Sequence, residues 1–268
     1  MTSETRWTNP VRARLLAGQP VAGLTIVTNN VETAAHAATL GFDFLWVEME
    51  HSPVTLESLR TIVLATRGLA ATVFARVPVN ELWTAKRVLD QGVSGVIFPF
   101  TSTPELAARA AAACKYPPQG KRGSGAGLAT ATWPEAGNYY DSADRNVMVV
   151  AVIEEARAVD RIDEIAATPG VDVLFIGTSD LSFSMGFRGR QDEPGLKQAI
   201  ETVARAARRN NKVLGRPAAT AEKIREFMDQ GFLFFQTGTE LGLMTAGARQ
   251  LLGPFGEGAS APERKALY

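Results

Sequence analysis

Two carboxylates, Glu154 and Asp180, follow consecutive apolar segments of the sequence. Glu154 ends the run VMVVAVIE, and Asp180 lies 26 residues further on, just after the run VDVLFIG. That spacing corresponds to one strand-to-strand unit of an α/β protein, so we expect the two carboxylates to lie side by side. Two carboxylates, with the remaining positions left to water and substrate, commonly hold Mg²⁺ or Mn²⁺. The simpler interpretation is that Asp180 caps a helix and Glu154 pairs with Arg157.

Acid–base chemistry is indicated by His51, which follows the apolar run FDFLWVEME. Histidine titrates near neutral pH and is the usual general base, and a neighbouring carboxylate such as Glu50 would fix its tautomer. A structural role is the alternative for a lone histidine. The next run, ATVFARVP, carries Arg76, whose guanidinium requires an anionic partner, either a protein carboxylate or a substrate oxygen.

Other mechanisms lack the residues that they need. No lysine stands at the carboxyl end of a predicted strand, so a Schiff-base aldolase is not expected. The segment GKRGSGAG is neither a P-loop nor a dinucleotide-binding turn. We expect it instead to let Arg122 close over a bound anion.

The elements that would position these residues alternate regularly between apolar runs and amphipathic stretches. The sequence predicts strands over 21–28, 42–50, 71–78, 95–100, 147–154, 171–177, 212–218 and 232–238. Predicted helices cover 31–40, 55–67, 81–91, 104–114, 157–168, 194–210, 220–230 and 239–252. The strands are rich in β-branched and aromatic residues, as in a parallel sheet covered by helices on both faces. Eight such units predict an α/β protein with a (β/α)8 TIM barrel, and a doubly wound sheet is the alternative.

The barrel is expected to form a single domain over residues 1–252, followed by a mobile tail over 253–268. An extra N-terminal helix, between Trp7 and Gly18, is placed to plug the bottom of the barrel. A connection of about 30 residues precedes the fifth strand, and loops of that length are uncommon and often functional. Enzymes with this fold work at the carboxyl ends of their strands, where the ionisable residues named above would meet.

Composition excludes several classes of protein. The 268 residues include 28 basic and 28 acidic side chains, so the basic excess that is typical of nucleic-acid binding is absent. No stretch approaches the ~20 apolar residues of a membrane span, and the first 20 residues lack the apolar core of a signal peptide. A single cysteine excludes an intrachain disulfide and fits a reducing compartment. We therefore expect a cytoplasmic protein without nucleic-acid or membrane partners.

Five segments resemble the HpcH/HpaI family of class II, metal-dependent 2-oxo-acid aldolases: WVEMEHSP, FARVP, KYPPQGKRGSG, VIEEARAV and LFIGTSDLSFSMG. The resemblance covers about residues 10–250. It implies a phosphoenolpyruvate/pyruvate-type barrel that cleaves a 4-hydroxy-2-oxo acid to pyruvate, or hydroxypyruvate, and an aldehyde. It also implies that Glu154 and Asp180 hold a divalent cation, Mg²⁺ or Mn²⁺, with Co²⁺ as a further candidate.

The same resemblance gives roles to other residues. Arg76 matches the arginine that contacts the keto or enolate oxygen, and His51 matches the acid–base histidine. Glu48 stands beside that histidine, where many relatives have Asp. Asp90 matches an acidic residue that approaches the histidine from a neighbouring subunit. The substrate carboxylate is expected to meet the backbone at Gly177, Thr178 and Ser179.

The resemblance further implies a homo-oligomer, either a trimer or a hexamer. The apolar final helix, ELGLMTAGARQLLG, would serve that interface or would close the barrel.

Two alternative functions stay open at this stage. The first is oxaloacetate decarboxylation, or another enolate transfer, on the same site, because enolate chemistry on a chelated 2-oxo acid serves both reactions. Glu48, Val152, Thr178 and Ser179 depart from the common pattern of the family, so the choice of 2-oxo acid and aldehyde also stays open. The second, from another class, is a barrel that binds 2-oxo acids without turnover.

Overall fold

The computed structural model describes residues 7–256, in which eight parallel strands close into a barrel in sequence order. The strands are β1 (Val21–Ile26), β2 (Phe44–Glu48), β3 (Thr72–Arg76), β4 (Gly95–Phe98), β5 (Met148–Ile153), β6 (Val173–Ile176), β7 (Val213–Pro217) and β8 (Phe234–Thr239). This arrangement confirms the predicted (β/α)8 barrel of the α/β class.

Helices follow every strand, and an additional one precedes β1. They are α1 (Pro10–Leu16), α2 (Val31–Ala37), α3 (Leu56–Ala65), α4 (Leu82–Asp90), α5 (Pro104–Ala113), α6 (Gly127–Thr132), α7 (Tyr139–Asn146), α8 (Ala156–Asp160), α9 (Ile162–Ala166), α10 (Thr178–Ser184), α11 (Pro194–Arg209), α12 (Ala221–Asp229) and α13 (Glu240–Leu252). Short 3₁₀ turns cover Pro134–Ala136 and Gly253–Phe255.

Strand alternation divides the core into two layers. Side chains such as Phe44, Phe74 and Phe234 fill the barrel interior, with ring centroids 4.5–6.1 Å apart. The intervening positions, including Leu45 and Val47, face the helices and form the larger outer layer. Successive side chains of a strand point to opposite faces. Every second residue therefore faces the barrel interior, and the last of these residues in each strand lie at the mouth of the barrel.

The predicted N-terminal plug is confirmed. Val11 and Leu15 of α1 are buried in the same interior cluster as Phe44 and Phe74, so the helix closes one end of the barrel. Asn9 caps α1 by accepting hydrogen bonds from the first backbone N–H groups, and its amide donates to the carbonyls of Ser94 and Asn146. These bonds connect the N-terminal helix to the residues just before β4 and β5.

The chain departs from the predicted elements in three places. The helix predicted over 157–168 is two helices, α8 and α9, because the backbone leaves the helical conformation at Arg161. The long connection before β5 folds into α6, a 3₁₀ turn and α7. A further helix, α10, begins directly after β6, so that its first turn lies at the mouth of the barrel.

Helix α13 lies mostly exposed rather than closing the barrel. Its apolar side chains Leu241, Leu243, Met244 and Leu251 are all exposed. Glu240, at its first position, is buried and accepts hydrogen bonds from two backbone N–H groups at the end of β1. None of the helices within residues 7–256 has the length and apolarity that crossing a membrane requires. The tail predicted to be mobile lies, from residue 257 onward, outside the described residues.

Candidate active site

A cavity of about 270 Å³ opens at the carboxyl ends of the strands. Seven of the ten predicted site residues line it, whereas Glu48, Asp90 and Arg122 do not. Its walls are formed by Trp46, His51, Arg76, Val152, Glu154, Phe175, Gly177, Thr178, Ser179, Asp180, Pro217 and Gln236. The barrel therefore gathers residues from most of its strands around one small cavity that has both apolar and ionisable walls.

Arg76, the last residue of β3, is buried at the floor of this cavity and faces three carboxylates. Its guanidinium lies 2.5 Å from Glu50, 3.3 Å from Glu48 and 3.6 Å from Glu154. Burial by itself lowers the pKa of Arg76, but the charges of these carboxylates outweigh that effect and hold its pKa above the ordinary value. The guanidinium is therefore a fixed positive charge beside the cavity.

Glu48 lies beneath the cavity and positions its neighbours. Its buried carboxylate accepts hydrogen bonds from Trp46 Nε1 at 3.2 Å and from the backbone N–H groups of Glu50 at 2.8 Å and His51 at 3.2 Å. It also accepts from Arg76 Nη1 at 3.3 Å. These four bonds fix the turn that carries His51, so this geometry gives Glu48 an orienting role.

The sequence places Glu50 only beside His51, as a carboxylate that would fix its tautomer, and the structure adds a contact with Arg76. Its carboxylate bridges Arg76 and the His51 ring, with His51 Nε2 3.6 Å away. Burial raises the pKa of Glu50 to about 7 against the attraction of Arg76. The sequence could have indicated this contact, because alternate positions 46, 48 and 50 face the interior of the barrel. His51 itself lines the cavity with its ring partly exposed to solvent.

Glu154 follows β5 and is almost completely buried. Its Oε1 accepts a hydrogen bond of 2.6 Å from the N–H of Phe100, a residue with a positive φ of 46°. Non-glycine residues rarely adopt that conformation, which here directs the N–H at the carboxylate. Burial raises the pKa of Glu154 to about 7; Arg76 opposes the shift and the charge of Asp180 adds to it.

Asp180, in the first turn of α10, is exposed and borders the same cavity as Glu154. The described residues contain no group of three or more His, Cys, Asp or Glu side chains that would hold a metal ion by themselves. Glu154 and Asp180 nevertheless fit a hard divalent cation, since such ions accept two carboxylates and complete their shell with water or substrate oxygen. A cation there would also offset the repulsion that raises the pKa of Glu154.

Gly177 connects β6 to α10 where no side chain fits. A Cβ at this position would lie 2.8 Å from Glu154 Oε2 and 2.9 Å from its Cβ. The backbone of residues 177–179 therefore passes directly over the Glu154 carboxylate. Thr178 and Ser179 follow at the start of α10, where the first backbone N–H groups of a helix have no intrahelical partner.

Asp90 and Arg122 lie together, away from the cavity of their own chain. Arg122 is buried between Tyr116 and Tyr139, with its guanidinium 4.7 Å and 5.5 Å from the ring centroids, and 3.5 Å from Asp90. Burial raises the pKa of Asp90, although Arg122 opposes the shift. Arg122 does not line the cavity of its own chain, because the two tyrosine rings and Asp90 hold its side chain, and its closure over an anion stays a prediction.

Comparison with known proteins gives a consistent result. Residues 22–246 match the family model described as HpcH/HpaI aldolase/citrate lyase. The 5-keto-4-deoxy-D-glucarate aldolase of Salmonella arizonae is 33% identical over 247 residues, which are 92% of this chain and 96% of the relative.

Two solved structures are also similar. One is an HpcH/HpaI aldolase/citrate lyase family protein from Burkholderia cenocepacia J2315, with a TM-score of 0.85 and 30% identity over 92% of this chain and 99% of that one. The other is an HpcH/HpaI aldolase from Desulfitobacterium hafniense DCB-2, with a TM-score of 0.82 and 28% identity over 91% of this chain and 95% of that one.

Proposed function

The chain belongs to the HpcH/HpaI aldolase/citrate lyase family, and from this membership we propose that it is a divalent-metal-dependent aldolase. The reaction is the reversible cleavage of a 4-hydroxy-2-oxo acid to pyruvate, or hydroxypyruvate, and an aldehyde. The observation that carries the proposal is that Arg76, Glu154 and Asp180 border one cavity of about 270 Å³. That volume suits a small 2-oxo acid rather than a large cofactor.

Glu154 and Asp180 would hold Mg²⁺ or Mn²⁺, with Co²⁺ as a further candidate, and the bound cation would supply electrophilic stabilisation of the enolate. Arg76 contributes a second, permanent positive charge to the oxygen on which the enolate charge develops. Because Arg76 is already fixed by three carboxylates, it needs little reorganisation during the reaction. The N–H groups of Thr178 and Ser179, beside Gly177, would bind the substrate carboxylate.

His51 is proposed as the acid–base residue. In cleavage, its ring accepts the proton of the 4-hydroxyl group while the C3–C4 bond breaks and the electron pair passes to the enolate of the 2-oxo acid. Protonation of the enolate at C3 then gives pyruvate. Glu50, 3.6 Å from the ring, and Glu48, which fixes the backbone of the same turn, orient the histidine.

Assembly with further copies of the chain is part of the proposal. Met244 and Leu251 of α13 are 66% and 76% exposed, and such an apolar surface favours burial against another molecule. We propose that α13 packs in a homo-oligomer, a trimer or a hexamer. In such an assembly Asp90 would approach His51 of a neighbouring chain, which agrees with its absence from the cavity wall of its own chain.

The decisive experiment uses pyruvate alone. Exchange of the pyruvate C3 protons in deuterated water requires enolate formation but no aldehyde, so it tests the chemistry without knowledge of the partner. We expect exchange with Mg²⁺ or Mn²⁺ and its loss with EDTA. Cleavage of 5-keto-4-deoxy-D-glucarate, the compound named in the similar Salmonella enzymes, is the first substrate assay. Release of CO₂ from oxaloacetate without cleavage of any hydroxy-oxo acid would contradict the aldolase assignment.

A further inference from the structure

Phe100, between β4 and α5, holds a backbone conformation that its own side chain does not explain. Its φ of 46° lies in the left-handed region, which non-glycine residues rarely adopt. The side chain is 43% exposed, so packing of the ring contributes little to fixing the residue. The N–H of Phe100 nevertheless donates the 2.6 Å hydrogen bond to Glu154 Oε1. Neighbouring groups must therefore hold the turn that carries Phe100.

The turn is anchored to β5 at both of its ends. Pairing of β4 with β5 ends at Phe98, which lies opposite Ala151. The N–H of Thr101 then donates to the carbonyl of Val152 at 3.1 Å. The chain therefore bulges between Phe98 and Thr101, and such a bulge redirects the backbone groups within it. Thr101 is the residue that returns the chain to the sheet.

Asn80, on the loop after β3, and Thr101 form a directed series of hydrogen bonds. Asn80 Nδ2 donates to Thr101 Oγ1 and to the carbonyl of Leu106, both at 3.3 Å. Because a carbonyl only accepts, it must face the amide nitrogen, which fixes the orientation of the Asn80 amide. The Thr101 hydroxyl in turn donates to the carbonyl of Phe98 at 3.0 Å. The two side chains thus connect both ends of the turn to the loop after β3.

The amide of Asn80 occupies a position that does not satisfy all of its polar atoms. Asn80 and Thr101 are both buried, and Asn80 Oδ1 accepts no hydrogen bond within residues 7–256. An unpaired buried acceptor destabilises a fold. An apolar side chain would avoid that cost, so the contribution of Asn80 lies in the two bonds that its nitrogen donates.

We propose that Asn80 and Thr101 are positioning residues for the metal site formed by Glu154 and Asp180. They hold the turn from which Phe100 donates to Glu154 Oε1, and thereby restrict rotation of that carboxylate. Hydrogen-bond partners that orient a ligating carboxylate raise metal affinity. The inference rests on the proposed metal-dependent function. It adds two residues that do not line the cavity themselves.

The test measures Mn²⁺ affinity by calorimetry in variants of the protein. Thr101→Val keeps the shape of the side chain and removes its hydroxyl. We expect the affinity to fall roughly 10-fold, the lower end of the range for hydrogen-bond partners of metal ligands. Thr101→Ser keeps the hydroxyl and should recover most of that loss.

Thr66→Val is the matched control for stability. Thr66 is also buried, its hydroxyl donates to the carbonyl of Ile62 at 2.8 Å, and it does not border the cavity. Thr66→Val and Thr101→Val each remove one buried hydroxyl, so both should lower the urea midpoint. Only Thr101→Val should weaken Mn²⁺ binding.

Asn80→Ala gives a second comparison, which also serves if Thr101→Val folds poorly. It removes the donor to Thr101 and should weaken Mn²⁺ binding as well. Because the two residues act through one series of bonds, the double variant should bind Mn²⁺ no more weakly than Thr101→Val alone. Additive losses would show that the residues act independently and would overturn the shared role.

Three outcomes would overturn the inference: wild-type Mn²⁺ affinity in Thr101→Val, equal losses of affinity in Thr101→Val and Thr66→Val, or no recovery in Thr101→Ser. A wild-type protein that binds Mn²⁺ but does not exchange the C3 protons of pyruvate would instead refute the proposed function, and the comparison of variants would still test the positioning role. Failure of the wild-type protein to bind Mn²⁺ would refute both.

Discussion

Arg76 Nη2 lies 2.5 Å from Glu50 Oε2, and this buried ion pair joins the end of β3 to the turn that carries His51. The pair couples two charges that the proposed reaction needs in different places. Arg76 borders the cavity in which the proposed enolate would form, whereas Glu50 faces the histidine ring, 3.6 Å from Nε2. The orientation of His51, the proposed acid–base residue, is thereby linked to the orientation of Arg76, the proposed stabiliser of the enolate.

Replacing Glu50 with Gln tests this link. Gln keeps the size of the side chain but removes the charge that holds both Arg76 and His51. We expect kcat to fall about 10- to 100-fold, as for loss of an orienting carboxylate, with a smaller change in KM for the 2-oxo acid. Steady-state kinetics would measure this effect. Glu57→Gln, on the first turn of α3, is the control, and a Glu50→Gln enzyme as active as wild type would contradict the coupling.

The sequence predicts the positions of the strand ends in this part of the site, but it predicts the contacts of Glu50 incompletely. Runs of β-branched and aromatic residues mark each strand, and glycines with a positive φ separate the preceding helix from β2, β4, β6 and β8, at Gly41, Gly92, Gly170 and Gly231. Residues at strand ends were therefore located correctly. Glu50, however, lies beyond the hydrogen-bonded part of β2. Its role depends on the alternation of side chains between the two faces continuing beyond the end of the strand.

Other features cannot be predicted from local pattern. The loop with Arg122 folds back because its guanidinium stacks between Tyr116 and Tyr139, a contact between distant segments. The composition of α13 fits a barrel-closing helix and an exposed interface helix equally well. The hydrogen bond that the Phe100 N–H donates to Glu154 requires a backbone conformation with a φ of 46° at Phe100, and no residue pattern in the sequence predicts that conformation.

Glu154→Gln should separate stability from activity. Because its pKa is raised from 4.5 to about 7, ionised Glu154 destabilises the metal-free fold at pH 8. The neutral amide should raise the free energy of unfolding there by up to about 3 kcal/mol, whereas proton exchange into pyruvate should fall at least ~10²-fold. Urea denaturation and NMR measure the two effects. Glu155→Gln is the control, since Glu155 pairs with Arg157 outside the cavity, and metal-dependent exchange surviving in Glu154→Gln would refute its role as a ligand.

The pH dependence of metal binding follows from the same groups. Glu50 and Glu154 both have a pKa of about 7, and protonation of Glu154 competes with a cation. Affinity for Mn²⁺ should rise from pH 6 to pH 8 by roughly 10-fold per proton displaced. In the metal-free protein the folded state holds more protons than the unfolded chain between pH 4.5 and 7, so these groups lower its stability as pH rises through that window. Calorimetry at both pH values measures the affinity, and an affinity independent of pH would contradict the assignment.

Gly177→Ala should disturb Glu154 without removing it. The added methyl group would lie 2.8 Å from Glu154 Oε2, so either the carboxylate or the start of α10 must move. We expect Mn²⁺ affinity to fall at least ~10-fold and the fold to lose about 1–3 kcal/mol, as in overpacked sites. Gly127→Ala, where no atom lies within 4 Å of the added carbon, is the matched control. If both variants bind Mn²⁺ equally, the close passage of the backbone over Glu154 has no functional consequence.

Mixing inactive variants tests whether Asp90 acts on a neighbouring chain. His51→Gln and Asp90→Asn should each lose most activity as pure oligomers. If one active site takes His51 from one chain and Asp90 from another, co-expressed mixtures contain some sites with both native residues. Aldolase activity should then reappear in the mixture, to at most about a quarter of wild type for random pairing of two subunits. The double variant mixed with either single variant is the control, because it forms no native pair. No recovery in folded hybrid oligomers, verified by light scattering, would show that Asp90 does not act across the interface.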